Sequence, residues 1–367
     1  MVLRLSQGTS LVFVDGQPLI FSSGRQALLS VNQIGGYVSC RLEEGVCFDQ
    51  LSRELADRGV RRSGPMLRDV LANWSTQGLV SACDPDPRAP PVRVQTIAIG
   101  AVSLSLSYHD EALARMVAPL FDHLQRDSLS CAIGYALWEA NGMAFLSRND
   151  EPACLMQPSQ AGPVLKAKIT EEILKDPRWR LALHAGCLHR RGKALLLLGE
   201  PGAGKTTLTS WLTAQGFDYA GDDIAMVDGE GRVQGLAFLP SVKAGAWPLL
   251  ESVYGDMARL PVHLRADRKR VRFPTPGGIA AEQPVGIGWI IRLRRRSAGG
   301  AELRPMTTAI ALRQLLAEAA SHDEEIGRDS LDLMIRTVAA ARCHELHYAR
   351  LDDATALLKQ ICDDEPA

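Results

Sequence analysis

The hydrophobic positions at the start of the chain predict a β-hairpin followed by three helices. Two short apolar runs flank Asp15-Gly16, a dipeptide that favours a tight hairpin turn. Apolar side chains then recur at helical spacing in three segments, which begin near Ile34, Phe48 and Met66. A hairpin and three helices are enough for one small domain.

A proline-rich segment follows this region. Asp84 to Pro91 contains four prolines in eight residues, which can continue neither a helix nor a central strand. We therefore predict a small domain over residues 1–84, a linker over residues 85–93 and a larger domain over residues 94–362, with its core at 181–362.

A second pattern lies in the larger domain. Residues 194–198 form a continuous apolar run, as in a buried parallel strand, and Leu208, Trp211 and Leu212 then recur at helical spacing. The segment between them fits the phosphate-binding pattern G-x-x-x-x-G-K-[ST] at every fixed position. It reads Gly199, Glu200, Pro201, Gly202, Ala203, Gly204, Lys205, Thr206.

This segment predicts binding of a nucleoside triphosphate. Its glycines allow backbone N–H groups to turn inward around a phosphate, at the N-terminus of the following helix. Lys205 would neutralise the outer phosphates and the Thr206 hydroxyl would bind Mg²⁺. ATP and Mg²⁺ are therefore the expected ligands.

Two adjacent carboxylates follow the next predicted strand. Asp222 and Asp223 come where the carboxyl end of a strand opens on the crevice of an α/β sheet. Phosphoryl transfer needs a carboxylate-bound metal and a group that orients the attacking hydroxyl. We predict that this pair supplies both, and the residues alone leave open which aspartate is the base.

Composition and charge exclude several classes of partner. The 367 residues carry 41 Lys and Arg against 42 Asp and Glu, a net charge of −1 that gives no general attraction to nucleic acid. No apolar run is long enough for a membrane helix, and the start has no secretory pattern. The eight cysteines form no C-x-x-C pair, and Cys343, His344 and His347 lack the spacing of a zinc motif. We expect a cytoplasmic protein with reduced thiols.

Residues 2–82 resemble the PqqD-like peptide-recognition domains, which have a winged-helix build. The likeness lies in Asn32-Gln33-Ile34-Gly35 after the hairpin, in residues 48–55, and in the segment from Val70 to Val80. The resemblance implies capture of a precursor peptide as an added strand on the hairpin edge. A winged-helix domain that only makes a homo-oligomer or binds DNA is the alternative.

Residues 181–245 resemble the catalytic domain of HPr kinase/phosphorylase and its relatives. The shared features are Leu183-His184-Ala185-Gly186 before the strand, the glycine-rich segment through Thr207, and the Asp-Asp pair. A looser likeness extends to Glu345-Leu346-His347-Tyr348.

The resemblance assigns roles by position. It makes Asp222 the general base on a serine hydroxyl, Asp223 a metal or orienting group, and His184 a neighbour that tunes the carboxylates. Pro240-Ser241-Val242-Lys243 matches a segment whose lysine faces the phosphates. True HPr kinases have Ser-Glu after the loop lysine, whereas this chain has Thr206-Thr207, which argues against HPr as the substrate.

The sequence thus predicts an α/β P-loop kinase core of the HPr-kinase-like type, preceded by a small winged-helix domain. The expected activity is ATP-dependent phosphorylation of a Ser or Thr hydroxyl on a captured precursor peptide or small protein. A kinase for a small-molecule hydroxyl and an ATP-responsive binding protein without phosphoryl transfer are the alternatives. The basic run at Arg265, Arg268, Lys269, Arg270 and Arg272 is either a solvated loop or a substrate loop.

Overall fold

The computed structural model of the chain describes residues 1–83, 89–127, 130–321 and 326–364, and it is a mixed α/β structure. The helices are α1 Gln33–Glu44, α2 Phe48–Asp57, α3 Ser63–Thr76, α4 Glu111–Val117, α5 Ala161–Leu174, α6 Lys205–Ala214, α7 Trp247–Leu250, α8 Thr308–Glu318, α9 Arg328–Ala340 and α10 Leu351–Asp363. Within these ranges no helix is long and apolar enough to cross a membrane.

The strands are numbered along the chain. The first ten are β1 Val2–Leu5, β2 Thr9–Val14, β3 Gln17–Ser22, β4 Ala27–Ser30, β5 Val80–Cys83, β6 Arg93–Ile99, β7 Val102–Tyr108, β8 Ile133–Ala140, β9 Met143–Arg148 and β10 Cys154–Met156. The others are β11 Trp179–Leu183, β12 Gly186–Arg190, β13 Lys193–Leu198, β14 Asp218–Gly221, β15 Ala225–Asp228, β16 Arg232–Gly235, β17 Val242–Lys243, β18 His263–Leu264, β19 Arg270–Arg272, β20 Val285–Arg295, β21 Glu302–Pro305, β22 Ala319–Ser321 and β23 Arg342–Tyr348.

The chain divides into two compact units. The first comprises residues 1–98, 103–165 and 263–268, and the second comprises residues 99–102, 166–262 and 269–367. This division differs from the predicted boundary, because residues 103–165 group with the N-terminal residues rather than with the glycine-rich segment. Of the predicted linker, residues 85–88 lie outside the described residues.

The first unit begins with the predicted hairpin and three helices. Strands β2 and β3 pair across Asp15 and Gly16, both with positive φ, as a two-residue turn between twisted strands requires. Strand β4 extends this sheet beyond β3. Helix α1 is capped by the Asn32 side chain, which accepts the Gly35 N–H at 2.8 Å. Strand β5 follows α3 and pairs with β1.

A second sheet completes the first unit and explains the shifted boundary. Its strand order is β10-β9-β8-β7-β6. Trp138 and Phe145 from this sheet stack at 5.6 Å and are buried in one core with Leu67 and Leu71 of α3. Ala82 of β5 also bridges Ala153. These long-range contacts join the helical region to residues 103–165, beyond the proline-rich segment.

The second unit is built on one large mixed sheet. The strand order is β14-β12-β13-β20-β16-β15-β11-β22, and β23 pairs with both β20 and β21. Strand β13 runs parallel to β20 and antiparallel to β12. Strand β14 is also antiparallel to β12, so β13 and β14 point the same way and end at the same edge of the sheet.

Side chains of β13 alternate between two hydrophobic cores. Leu196 and Leu198 pack in the core that contains residues of α8 and α9, whereas Leu195 and Leu197 pack in the core that contains residues of α6 and α10. Helices therefore cover both faces of the sheet, which explains why this strand is apolar at successive positions. Each fully buried leucine contributes about 1.5–3 kcal/mol, so the strand preceding the glycine-rich segment is firmly held.

Helix α4 is shorter than the run of apolar residues that begins with it. Asp110 caps α4, with its side chain accepting the Leu113 N–H at 2.9 Å. Apolar residues recur as far as Leu124, but α4 ends at Val117 and two short 3₁₀ turns follow. Pro119 lies in the first of these turns, and its ring removes a backbone donor.

Candidate active site

The glycine-rich segment, residues 199–206, joins the end of β13 to the start of α6. Gly199, Gly202 and Gly204 have φ values of 148°, 93° and 98°, a region of backbone conformation that favours glycine. A Cβ atom on Gly199 would lie 3.2 Å from the carbonyl oxygen of Leu293. No side chain caps α6, so its N-terminus can receive an anion.

Tyr348 fixes this segment from the end of β23. Its hydroxyl donates to the carbonyl oxygen of Ala203 at 2.8 Å, and its ring is buried. A side chain on Gly204 would collide with the same hydroxyl. Glu200 at the exposed side of the segment lies 3.6 Å from the guanidinium of Arg294.

Lys205 is buried within the segment. Its Nζ donates to the carbonyl oxygen of Gly199 and lies 3.8 Å from the carboxylate of Glu318. Burial lowers the pKa of Lys205, and the negative charges of Glu318 and Asp223 act in the opposite direction. Lys205 is thus a buried cation held between the glycine-rich segment and Glu318.

Asp222 follows β14 at the same edge of the sheet as the glycine-rich segment. In the pairing with β12, Cys187 faces Gly221 and Leu188 faces Tyr219, which leaves Ala220 as a bulge. On a regular strand, the side chains of residues three apart point to opposite faces of the sheet. A bulge inserts one extra residue between them, so that the two side chains point to the same face. Accordingly, the Tyr219 hydroxyl lies 3.3 Å from Oδ1 of Asp222.

The backbone around Asp222 is packed without intervening side chains. A Cβ atom on Gly221 would lie 2.6 Å from the carbonyl oxygen of Leu236, and one on Gly235 would collide with the Ala220 carbonyl. The two chain segments can approach this closely only because both positions are glycine.

The carboxylate of Asp222 is almost fully buried and surrounded by donors. The Ser241 N–H donates to Oδ2 at 3.1 Å, and the Lys166 Nζ lies 3.9 Å from Oδ1. Burial raises the pKa of Asp222 and the charge of Asp223 adds to this rise, whereas Lys166 and hydrogen bonds from Ser241 and Thr206 lower it. Thr206 therefore lies close enough to Asp222 for its hydroxyl to influence this pKa.

Asp223 is more exposed and interacts with His184. The Nδ1 atom of His184 lies 3.4 Å from Oδ1 of Asp223 and 3.1 Å from its carbonyl oxygen. The Lys166 Nζ is also 4.0 Å from Oδ2 of Asp223. His184 is positioned by its own backbone N–H, which donates to the carbonyl oxygen of Glu318 at 2.8 Å.

The other basic candidates occupy two different environments. Lys243 is exposed on β17, and its charge contributes to the lowered pKa of Lys205. In the predicted basic run, the Arg272 guanidinium lies 4.1 Å from the ring centre of Trp247 and that of Arg270 lies 6.0 Å from it. The guanidinium groups of both arginines therefore lie close enough to the Trp247 ring for a cation–π interaction.

The site residues fit Mg²⁺ bound together with a triphosphate. Mg²⁺ prefers hard oxygen ligands and is usually held by one or two carboxylates together with substrate phosphates. The Thr206 hydroxyl and the aspartate pair are such ligands. No cluster of three or more His, Cys, Asp or Glu side chains suited to a metal occurs in the part of the chain that the structure describes, so a metal here would need the phosphates as further ligands.

The structure brings together most of the predicted residues and adds others. Lys205, Thr206, Asp222, Asp223 and His184 are connected through the contacts above. Sequence reasoning missed Lys166, Glu318, Tyr219, Ser241 and Tyr348, which complete the site. Tyr348 lay in the looser part of the resemblance, and Ser241 lay within the predicted lysine segment Pro240–Lys243, but Lys166 and Glu318 carried no sequence signal.

Comparison of the chain with protein-family models and with curated proteins finds no match.

Proposed function

We propose that this protein is an ATP-dependent kinase that phosphorylates a Ser or Thr hydroxyl of a peptide or small protein captured by its first unit. In this proposal the second unit is a P-loop kinase core of the HPr-kinase-like type. The helical part of the first unit is a winged-helix, PqqD-like recognition module.

The position of the two aspartates relative to the glycine-rich segment carries the proposal, because β13 and β14 end at the same edge of the sheet and the charge of Asp223 acts on the pKa of Lys205. The segment suited to phosphate binding therefore lies beside the carboxylates suited to metal binding and proton transfer. Phosphoryl transfer requires these two parts side by side, because catalysis rests on positioning and on stabilisation of negative charge.

Each residue then has a stated task. The backbone N–H groups of residues 199–206 hold the phosphates, and Lys205 compensates the charge of the outer ones. Thr206 and Asp223 would hold Mg²⁺, which neutralises charge that develops on the phosphate oxygens when it is bound. Lys243 lies close enough to Lys205 for its charge to be felt, which suits a second contact to phosphate.

Asp222 accepts the proton in this mechanism. The acceptor hydroxyl oxygen forms a bond to the γ-phosphorus, the bond from that phosphorus to the β-phosphate oxygen breaks, and ADP leaves. The hydroxyl proton goes to Asp222, whose raised pKa favours uptake of a proton. His184 orients the neighbouring carboxylate of Asp223 through its Nδ1 contact.

The sheet β2-β3-β4 is the surface best suited to the peptide. Phe21 and Leu28 lie directly opposite each other in the register of β3 and β4, and they are 37% and 60% exposed. Among the described residues β4 has no further strand beside it, so an extended peptide can add there by main-chain hydrogen bonds. Capture at this surface would raise the local concentration of the acceptor.

A phosphotransfer assay tests the proposal. Full-length protein is incubated with Mg²⁺, labelled ATP and a peptide library with fixed serine or threonine positions, and phosphopeptides are identified by mass spectrometry.

Lys205→Ala should abolish ATP binding. Asp222→Asn should retain ATP binding but lower turnover by about 10²–10⁴-fold, whereas Asp223→Asn should raise the Mg²⁺ concentration required. Glu230→Gln, in an exposed turn, is the matched control and should be active.

Three results would change the proposal. Phosphorylation of metabolites but of no peptide would favour a small-molecule kinase. Nucleotide binding without any transfer would favour a binding protein. Unchanged turnover in Asp222→Asn would remove this residue from the mechanism.

A further inference from the structure

A cavity of about 250 Å³ lies beside the glycine-rich segment in the second unit. Gly204, Thr207 and Trp211 line it from the start of α6, and the connection from Tyr348 through Asp352 lines it from the other side. The candidate active site described above does not use this space. Its size suits part of a ligand rather than a whole one, since pockets for complete small molecules measure about 300–1,000 Å³.

A phosphate chain bound to the glycine-rich segment would extend toward this cavity. Lys205 and Thr206 face Glu318 and Asp222, and this side suits the outer phosphates and the metal. The inner phosphates of a nucleotide therefore lie toward the next residue, Thr207, which lines the cavity. Whatever is attached to the innermost phosphate would enter it.

We propose that this cavity binds the nucleoside, base and ribose, of the triphosphate. The inference rests on the proposed function, because it assumes that a nucleotide occupies the glycine-rich segment. The cavity would be the part of the site that binds a nucleotide more tightly than a polyphosphate without a nucleoside.

The lining has the chemistry that a nucleoside needs. The ring of Trp211 and the side chains of Leu249 and Leu351 provide flat and apolar surface for a base. Arg350 adds a guanidinium that can stack on a base. The Asp352 carboxylate, 3.6 Å from Arg350, can accept hydrogen bonds from a base amino group or from ribose hydroxyls.

Calorimetric titration of the full chain with Mg²⁺-ATP and with Mg²⁺-tripolyphosphate tests this inference. Tripolyphosphate has the phosphates of ATP without a nucleoside, so the wild type should bind ATP more tightly. Ala349→Leu narrows the cavity and should weaken ATP binding by about 10- to 100-fold, the scale of lost base stacking. It should leave tripolyphosphate binding unchanged. Ala356→Leu, on the exposed side of α10, is the control.

A second pair of variants covers the case in which Ala349→Leu fails to fold. Asp352→Ala removes the proposed acceptor, and Asp353→Ala removes the neighbouring first-turn carboxylate of α10, which does not line the cavity. Only Asp352→Ala should weaken the binding of ATP relative to that of tripolyphosphate, by several-fold. GTP in place of ATP shows how far the cavity distinguishes bases.

The outcomes separate this inference from the proposed function. Equal binding of ATP and tripolyphosphate by the wild type overturns the nucleoside site and leaves the phosphate site intact. Equal losses for both ligands in the variants also overturn it, because the cavity then acts only on the phosphates. Failure of the wild type to bind either ligand overturns the proposed function together with the inference.

Discussion

The ammonium of Lys166 lies 3.9 Å from Oδ1 of Asp222, although the two residues come from α5 and from the segment after β14. The Lys166 side chain is 14% exposed and that of Asp222 is 2% exposed, so solvent screens their attraction only weakly. Lys166 is the largest influence opposing the raised pKa of Asp222. In the proposed mechanism Lys166 is therefore a positioning residue that keeps the buried carboxylate available as a base.

Replacing Lys166 should shift the pH dependence of turnover. In Lys166→Met the pKa of Asp222 rises further, so the acidic limb of the kcat profile should move to higher pH and turnover at neutral pH should fall about tenfold or more. Lys166→Arg should restore most of the wild-type profile. Lys168→Met, on the same helix and with its side chain 42% exposed, is the control. A uniform loss of turnover at every pH would contradict the assigned role.

Asp222→Asn should stabilise the fold while it removes activity. The folded pKa of Asp222 is raised above its unfolded value, so ionisation destabilises the fold above the folded pKa, and this cost disappears below the unfolded pKa. A neutral isostere should therefore raise the free energy of unfolding at pH 8 by about 0.5–2 kcal/mol, with little effect in acid. Denaturant titrations at several pH values measure the difference.

Asp228→Asn is the control for that experiment. Asp228 accepts the N–H groups of Glu230 and Arg232 at 3.0 and 2.9 Å and pairs with the Arg232 guanidinium. Its replacement should destabilise the protein by about 1–3 kcal/mol. A loss of stability in Asp222→Asn at pH 8 would show that the carboxylate is needed for the fold.

Tyr348→Phe should loosen the glycine-rich segment. The variant loses the hydrogen bond to Ala203, which costs about 0.5–1.5 kcal/mol, and should raise the KM for ATP several-fold. Tyr108→Phe is matched, because it removes a buried hydroxyl that donates to Gln95 at 2.7 Å in the first unit. Both variants should lose similar stability in thermal melts, but only Tyr348→Phe should change the KM.

Leu28→Lys should impair peptide capture without affecting ATP binding. Burial of a leucine side chain contributes about 1.5–3 kcal/mol, so the KM for a peptide selected from the library should rise about 10- to 100-fold. The affinity for ATP should be unchanged. Ile310→Lys, at a 42% exposed position of the second unit, tests for a general effect of added charge. An unaltered peptide KM would move the capture site away from this sheet.

Truncation at the proline-rich segment would be a poor test of peptide capture. Removal of residues 1–84 would expose Trp138, Met143 and Phe145, which are buried against the helices of the first unit. Loss of activity in such a truncation would report on damage to that core. Single substitutions on an exposed face avoid this problem.

Local sequence signals predicted the elements that depend on neighbours in the chain. The hairpin at Asp15-Gly16, helix α3 and the β13–α6 junction all agree with the patterns that predicted them. Lys205 and Asp222 could be selected because each stands at a strand end or a helix start. Only α6 and β14 separate the two residues along the chain, so few arrangements other than the same edge of the sheet are open to them.

Contacts between segments that are distant along the chain could not be predicted from these local signals. The unit boundary depends on Ala82 bridging Ala153, and the site depends on Lys166 and Glu318, each far from Asp222 along the chain. Periodicity reports which face of a helix is buried but not which charged group it meets. No motif around Lys166 indicates that its partner is Asp222.

The close approach of main chain at Gly221 and Gly235 has a consequence for how such a protein can diversify. Contact between main-chain segments at these glycines helps to hold Asp222 at its depth, so in the proposed kinase the side chains lining the approach to the acceptor could be exchanged while the phosphate end keeps its alignment. Replacement of surface residues would then admit new acceptors, as long as those two positions keep no side chain.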